Sequence, residues 1–203
     1  MKPAEAMELV FATHNRHKLQ EAVAIAGASC VVFGLDHVGC FDEIPETADT
    51  LIGNAKQKAE YVYQKYQVNC FADDTGLEVE ALDGRPGVYS ARYAGEHCSF
   101  EDNVNKLLQE MQGVTNRKAC FKTVVALILD GQRYEFEGRV DGIILPEPII
   151  LPEPIGDSGF GYDPVFMPDG FNVSFAQMSD FDKNAISHRG RAIRKMMTFL
   201  QTL

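Results

Sequence analysis

The segment ELVFATHNRHKLQEAVAIAGASCVVFGL (residues 8–35) sets the fold class. Its first six residues are a short apolar, partly β-branched run, and a polar stretch follows. Residues 18–26 then read as a helix closed by Gly27, because glycine accepts the left-handed backbone of a helix C-cap. CVVFGL (residues 30–35) reads as a second buried strand. Strand, loop, helix and strand make a unit of βαβ size, whose first loop faces a sheet end, where open α/β sheets hold ligands.

Working outward, Leu51, Ile52, Ala55, Ala59, Val62, Tyr63 and Tyr66 recur at three- and four-residue spacing, which predicts an amphipathic helix over residues 50–66 with Lys56 and Lys58 on its other faces. Residues 69–72 return as a strand, Asp73, Asp74, Thr75 and Gly76 read as a corner, and Leu77, Val79 and Ala81 alternate with Glu78 and Glu80 in a further strand. Ser99 with Asp102 three residues on marks a helix start, and Gly113 its end. Residues 119–129 and 132–140 are strand-like and joined by Asp130-Gly131, a dipeptide favoured in two-residue hairpins. A terminal helix over residues 186–203 places Ile193, Met196, Met197 and Leu200 on one face and Arg189, Arg191, Arg194 and Lys195 elsewhere. No linker interrupts the chain, so residues 1–203 read as a single domain or two tightly joined lobes. The hexapeptide IILPEP occurs twice in tandem, at residues 143–148 and 149–154. Two such copies are too short to stack into a solenoid, and their prolines predict an extended, solvent-facing loop insertion.

Composition excludes several classes. The chain has 203 residues, 45% apolar and 24% charged, with 19 basic against 29 acidic side chains, a net charge of −10. That sign opposes tracking along nucleic acid or lying on an anionic membrane, so any polyanion must meet a local basic pocket. VVALIL (residues 124–129) falls far short of the roughly 20 apolar residues that span a bilayer. The opening MKPAEA lacks the apolar core of a secretory signal, and the cytoplasm is the expected location. Five cysteines without a C-x-x-C pair fit neither a disulfide framework nor a zinc site and read as reduced, mostly structural thiols.

Four constellations have groups suited to chemistry. Thr13, His14, Asn15, Arg16, His17 and Lys18 join strand to helix and offer hydroxyl, amide, helix N-terminal N–H groups and an ammonium to phosphate oxygens, or form a solvated helix entry. Asp73 and Asp74, with Glu46 upstream, supply the hard oxygens that hold Mg²⁺, which takes only one or two carboxylates, or else form a turn. Gly159 to Pro164 (GFGYDP) pairs backbone access with an aromatic ring and an acceptor, a seat for a nucleobase or a plain turn. Lys183 with Ser187, His188 and Arg189 gathers donors for a keto oxygen or phosphate, or forms a basic helix face.

Taken in order, TxNxxK (13–18), ET (46–47), NAxxKA (54–59), ADDTGL (72–77), PGVYSARYAG (86–95), GFGYDP (159–164) and KxxxSHR (183–189) resemble the inosine triphosphate pyrophosphatase family over about residues 9–200. The resemblance implies an α/β fold, a long mixed β-sheet with flanking helices forming two lobes around a central cleft, and a homodimer. It implies Mg²⁺-dependent hydrolysis of the purine nucleoside triphosphates ITP, dITP and XTP to monophosphate and pyrophosphate. It assigns Thr13, His14, Asn15, Arg16, His17 and Lys18 to the triphosphate, Lys58 to its neutralisation, and Glu46, Asp74 and Asp73 to the metal. Asp74 would also accept the proton of the attacking water, and Thr75 keeps the hydroxyl of the family's usual serine. Phe160, Gly161, Tyr162, Asp163, Lys183, His188 and Arg189 would enclose the base and read its 6-keto group. Other classes open to the residues are a related hydrolase releasing orthophosphate and a nucleotide sensor that binds without turnover.

The chain departs from the family pattern in two places. Met7 stands just before the first strand, so the six preceding residues are expected to be a dispensable extension or a misplaced start. The second hexapeptide copy is extra. Deleting residues 149–154 is expected to leave turnover within about threefold, roughly 0.65 kcal/mol, and a hundredfold loss refutes the loop-insertion reading.

Overall fold

The computed structural model describes residues 7–27, 30–149 and 161–203. In order along the chain are β1 (Met7–Phe11), α1 (Arg16–Ala26), β2 (Cys30–Phe33), α2 (Leu51–Tyr66), β3 (Cys70–Val79), β4 (Pro86–Gly87), α3 (Phe100–Glu110), β5 (Lys118–Leu129), β6 (Gln132–Ile144), β7 (Phe166–Pro168), α4 (Asp180–Ile186) and α5 (His188–Leu200). Among the described residues the seven strands hydrogen-bond in the order β2-β1-β3-β5-β6-β7, with β4 on β3. The sheet is mixed: β1 runs parallel to β2 and β3, whereas β4 is antiparallel to β3 and β7 to β6. This is an α/β fold. The residues group into two compact units, one from residues up to Asp74 with Thr123–Gly138 and Arg189–Leu203, the other from Thr75–Lys122 and Arg139–His188.

The first unit follows from strand alternation. Side chains of consecutive strand residues point to opposite faces, and two apolar clusters obey that parity. Leu9, Phe11, Cys30, Val32, Phe71, Val125, Leu127 and Leu129 pack with α1 and α5 through Ala22, Ala26, Ile193 and Met196. Val10, Ala12, Cys70, Ala72, Ala126 and Ile128 pack on the other face with α2 through Ala55, Ala59 and Val62. Phe11 and Phe71 stack with centroids 4.4 Å apart. The expected elements are present: Gly27 caps α1 at φ 59°, Thr50 caps α2 through a hydrogen bond from the Gly53 N–H, and Asp130 and Gly131 turn the β5–β6 hairpin with φ of 48° and 78°.

The second unit has its own core of Leu77, Val79, Leu107, Phe121, Ile144, Tyr162, Phe166 and Phe175. Ser99 and Asp102 form the capping box of α3, which runs to Glu110 with Met111 as its C-cap, so Gly113 lies beyond the helix end expected there.

Two expectations need correction. The acidic corner does not exist: residues 70–79 are one continuous strand, because both aspartates have partners that let them lie in a buried ladder. The first IILPEP copy is not wholly a loop excursion, since Ile143 and Ile144 complete β6 opposite Met167 and Phe166, and Ile144 is fully buried. Residues 150–154 of the second copy lie outside the described residues, as do residues 1–6. The terminal helix expected over residues 186–203 is present as α5, and a short α4, which was not expected, precedes it with Ser187 in extended backbone (ψ 149°) between them. The five cysteines are free thiols, buried at Cys30, Cys40, Cys70 and Cys120 and half-buried at Cys98. No helix among the described residues is long and apolar enough to cross a membrane.

The same parity that sorts the core puts Asp73 on the α1 and α5 face. Its Oδ1 accepts from Lys18 Nζ at 2.9 Å and its Oδ2 from Arg189 Nε at 2.8 Å, while Arg189 Nη1 reaches Glu21 on α1 at 2.7 Å. Burial would push the Asp73 carboxyl up, but the charges of Lys18, Arg189 and Lys58 outweigh it and hold it well below the ordinary carboxylate range. A folded-state pKa below the unfolded value of about 3.9 stabilises the fold above that pH and is lost as pH falls toward the folded value. Asp73→Asn leaves two cations facing a neutral amide and should cost about 3–5 kcal/mol at pH 7 in urea melts. The gap from wild type should be full above about pH 4 and close below it, and a gap independent of pH would remove Asp73 from this role.

Candidate active site

In the first unit the loop between β1 and α1 is built around Asn15. Its side-chain oxygen accepts from the N–H groups of His17 and Lys18 at 2.9 and 3.1 Å, which makes it the N-cap of α1, and Thr13 Oγ1 accepts from the Asn15 N–H at 3.1 Å. The expected helix N-terminal donors are thus shared with Asn15 itself. Arg16 and His17 are exposed, and His14 Nε2 donates to the Asp42 carbonyl oxygen at 2.8 Å. Asp42 in turn accepts from Tyr61 and Lys65 of α2. These contacts hold the β1–α1 loop against the segment preceding α2.

Lys18 is the cation of this loop that points inward, with its side chain 18% exposed. Burial lowers its pKa, Asp73 opposes that shift, and the like charges of Arg189 and Lys58 add to it. For Arg189, burial works against the charge but Asp73 and Glu21 outweigh it and raise its pKa. Arg189 was expected to enclose a base together with Lys183 and His188. In the first unit its guanidinium meets two carboxylates, Asp73 and Glu21.

Asp74, one residue after Asp73, faces α2. Its Oδ2 accepts from Asn54 Nδ2 at 3.0 Å. Lys58, expected on another face of the helix than the apolar stripe, is buried and gives its ammonium to Glu46 Oε1 at 2.5 Å. A lysine can sit there because a carboxylate meets its charge. Gln57 completes the grip: its Oε1 accepts from the Thr47 N–H and its Nε2 donates to Thr47 Oγ1, both at 2.9 Å. Burial raises the Asp74 pKa above the ordinary range, against the pull of Lys58 and the Asn54 hydrogen bond, and the Glu46 charge adds to the rise. Glu46 and Asp74 therefore lie within electrostatic reach of each other and of Lys58 and Lys18.

Asp73 does not join them. Its carboxylate oxygens meet Lys18 and Arg189 on the opposite face, and no group of three metal-ligating side chains occurs among the described residues. Of the three carboxylates expected at a metal, Glu46 and Asp74 lie on the α2 side and Asp73 on the α1 and α5 side. Sequence reading left Asn54 without a role, although the signal was present: a polar residue interrupts the apolar stripe of α2, and Asn54 is as buried as the alanines beside it.

In the second unit, Thr75 is buried within β3. Asp163 is also buried and accepts from Lys183 Nζ at 2.5 Å, and Lys183 lies 5.7 Å from the Phe175 ring centre. His188 stacks on Phe121 with centroids 5.0 Å apart. Tyr162 is not an open stacking face. It is 1% exposed and its hydroxyl donates to the Ser90 carbonyl oxygen at 2.8 Å, a core anchor for the loop that follows Gly161. Gly161 must lack a side chain, because a Cβ there would sit 2.6 Å from the Phe100 ring. Phe160 lies outside the described residues.

The model of the Ham1 family matches residues 9–199. A protein of Porphyromonas gingivalis named dITP/XTP pyrophosphatase is 53% identical over 194 residues, covering 95% of this chain and 97% of its own length. One of the same name from Flavobacterium johnsoniae is 48% identical, covering 96% and 98%. Among solved structures, the Ham1 protein of Staphylococcus aureus aligns with a TM-score of 0.85 at 37% identity, covering 96% of this chain and 98% of its own. A HAM1 protein from Coxiella burnetii aligns at 0.87 and 31% identity, covering 97% and 100%. The family model spans nearly the whole chain and relatives about half identical to it cover almost their full length, and the chain belongs to the Ham1 family.

Proposed function

We propose that this chain hydrolyses the non-standard purine nucleoside triphosphates ITP, dITP and XTP to the monophosphate and pyrophosphate, removing them from the nucleotide pool. Relatives about half identical over nearly the whole chain have the name dITP/XTP pyrophosphatase. The observation that carries the reading is the pairing of Glu46 and Asp74, held by Lys58 and Asn54 of one helix within reach of Lys18. Two hard carboxylates beside cations suit Mg²⁺, which needs no more protein ligands when phosphate oxygens complete its shell. Bound by Glu46 and Asp74, Mg²⁺ would neutralise phosphate charge and acidify a water.

The chain's own groups supply the rest. Asp74, half-buried and with a raised pKa, is the acceptor for the proton of the attacking water. Lys18 and Lys58 offset charge on the phosphate oxygens, and Thr13 with the α1 entrance seats them. Asp73 and Arg189 act behind this layer by fixing Lys18. Phosphoryl transfer asks mainly for such positioning and charge neutralisation. Phe160, Asp163, Lys183 and His188 are the groups for the base. Donors aimed at a 6-keto oxygen face the amino group of adenine and are left unpaired, at about 1–3 kcal/mol per buried group, which disfavours ATP. The family resemblance also supports a homodimer, and the cytoplasm is the proposed compartment.

Incubation of ITP, dITP, XTP, GTP and ATP with the enzyme and Mg²⁺, with products resolved by chromatography, should give monophosphate and pyrophosphate from the first three. Release of orthophosphate, or tight binding without turnover, would overturn the proposal. Asp74→Asn should lower kcat by at least about 100-fold with KM changed by less than about threefold. An unchanged kcat removes Asp74 as the proton acceptor.

A further inference from the structure

We propose that Asn54 is a positioning residue for the hydrolytic step, its amide setting the orientation of Asp74 relative to the segment that contains Glu46; the inference rests on the roles given above to those two carboxylates. Asn54 is 1% exposed in the middle of α2. A helix interior gives asparagine no local advantage over alanine, and a buried amide without partners is costly. Both of its ends are used. Oδ1 accepts from the Ala48 backbone N–H at 2.9 Å, and Nδ2 donates to Asp74 Oδ2 at 3.0 Å. The backbone N–H can only donate, so the amide cannot turn over, and its donor end is fixed toward Asp74. Asp74 is thereby held as an acceptor with a defined carboxyl plane.

One turn further along the same helix face, Lys58 holds Glu46, two residues before Ala48. Asn54 thus ties together the strand bearing Asp74 and the segment bearing Glu46. Gln57 supplies the contrast. It also fixes this segment, through two hydrogen bonds to Thr47. Removing either side chain releases one backbone N–H of residues 47–48, and removing Asn54 also takes away a donor to the Asp74 carboxylate.

The test compares Asn54→Ala, Asn54→Asp and Gln57→Ala with wild type in dITP turnover, and measures Mn²⁺ binding by the electron paramagnetic resonance signal of free Mn²⁺. Asn54→Ala should lower kcat about 10–100-fold with the KM for dITP changed by less than about threefold, and weaken Mn²⁺ binding about tenfold or more. Gln57→Ala loosens the same segment but keeps the donor to Asp74, so it should lower kcat by a factor at least about threefold smaller than Asn54→Ala does. Asn54→Asp keeps size and the acceptor for Ala48 but removes the donor to Asp74, so it should lose kcat like the alanine variant, and it serves where the alanine variant does not fold. Equal behaviour of Asn54→Ala and Gln57→Ala, or full kcat in Asn54→Asp, would overturn the inference while leaving the pyrophosphatase reading intact. A wild-type protein that neither cleaves dITP nor binds Mn²⁺ would overturn both.

Discussion

The two-residue period of β3 is the constraint on which the site depends. Adjacent aspartates in an extended strand cannot share a face, so Asp73 meets the cations of α1 and α5 while Asp74 meets the amide and lysine of α2. One carboxylate is held ionised by two partners, and the other is kept in a less charged setting by burial. Two residues of identical chemistry acquire different partners and opposite pKa directions from parity alone. A single-residue slip of the strand would exchange them and move the apolar residues of both faces with them.

Charge is organised locally against the global sign. A chain with a net charge of −10 can meet a polyanion only where cations collect. Lys18, Lys58 and Arg189 do so in the first unit, each matched to a carboxylate: Asp73, Glu46, and Asp73 with Glu21. The matched carboxylates keep mutually repelling cations together in the absence of substrate. The arrangement also explains why Lys18 and Arg189 move in opposite pKa directions. Lys18 has one carboxylate partner and two neighbouring cations, while Arg189 has two carboxylates.

What was legible in the sequence is what local periodicity encodes. The β1-α1-β2 unit, the stripe of α2, the Ser99–Asp102 capping box and the Asp130-Gly131 turn all rest on contacts between near neighbours. The continuity of β3 was not legible, because Asp-Asp-Thr-Gly has the composition of a turn and the partners that override it lie 55 and 116 residues away. The burial of Lys58 was hidden for the same reason: its counter-ion is on the loop before the helix. The site motifs were readable as residue types, and Lys18, Lys58, Glu46 and Asp74 do come together. Their separation from Asp73, and the removal of Tyr162 to a core, depend on faces that residue order alone does not assign.

The buried thiols have a chemical consequence for such a protein. Burial pushes Cys30 and Cys120 up to about 11 and Cys70 up to about 12, so at neutral pH well under one in a thousand of these sulfurs is in the nucleophilic form that peroxides attack. At these three positions the sulfur serves the core as a small apolar filler, and its redox chemistry is muted by the same packing that uses it.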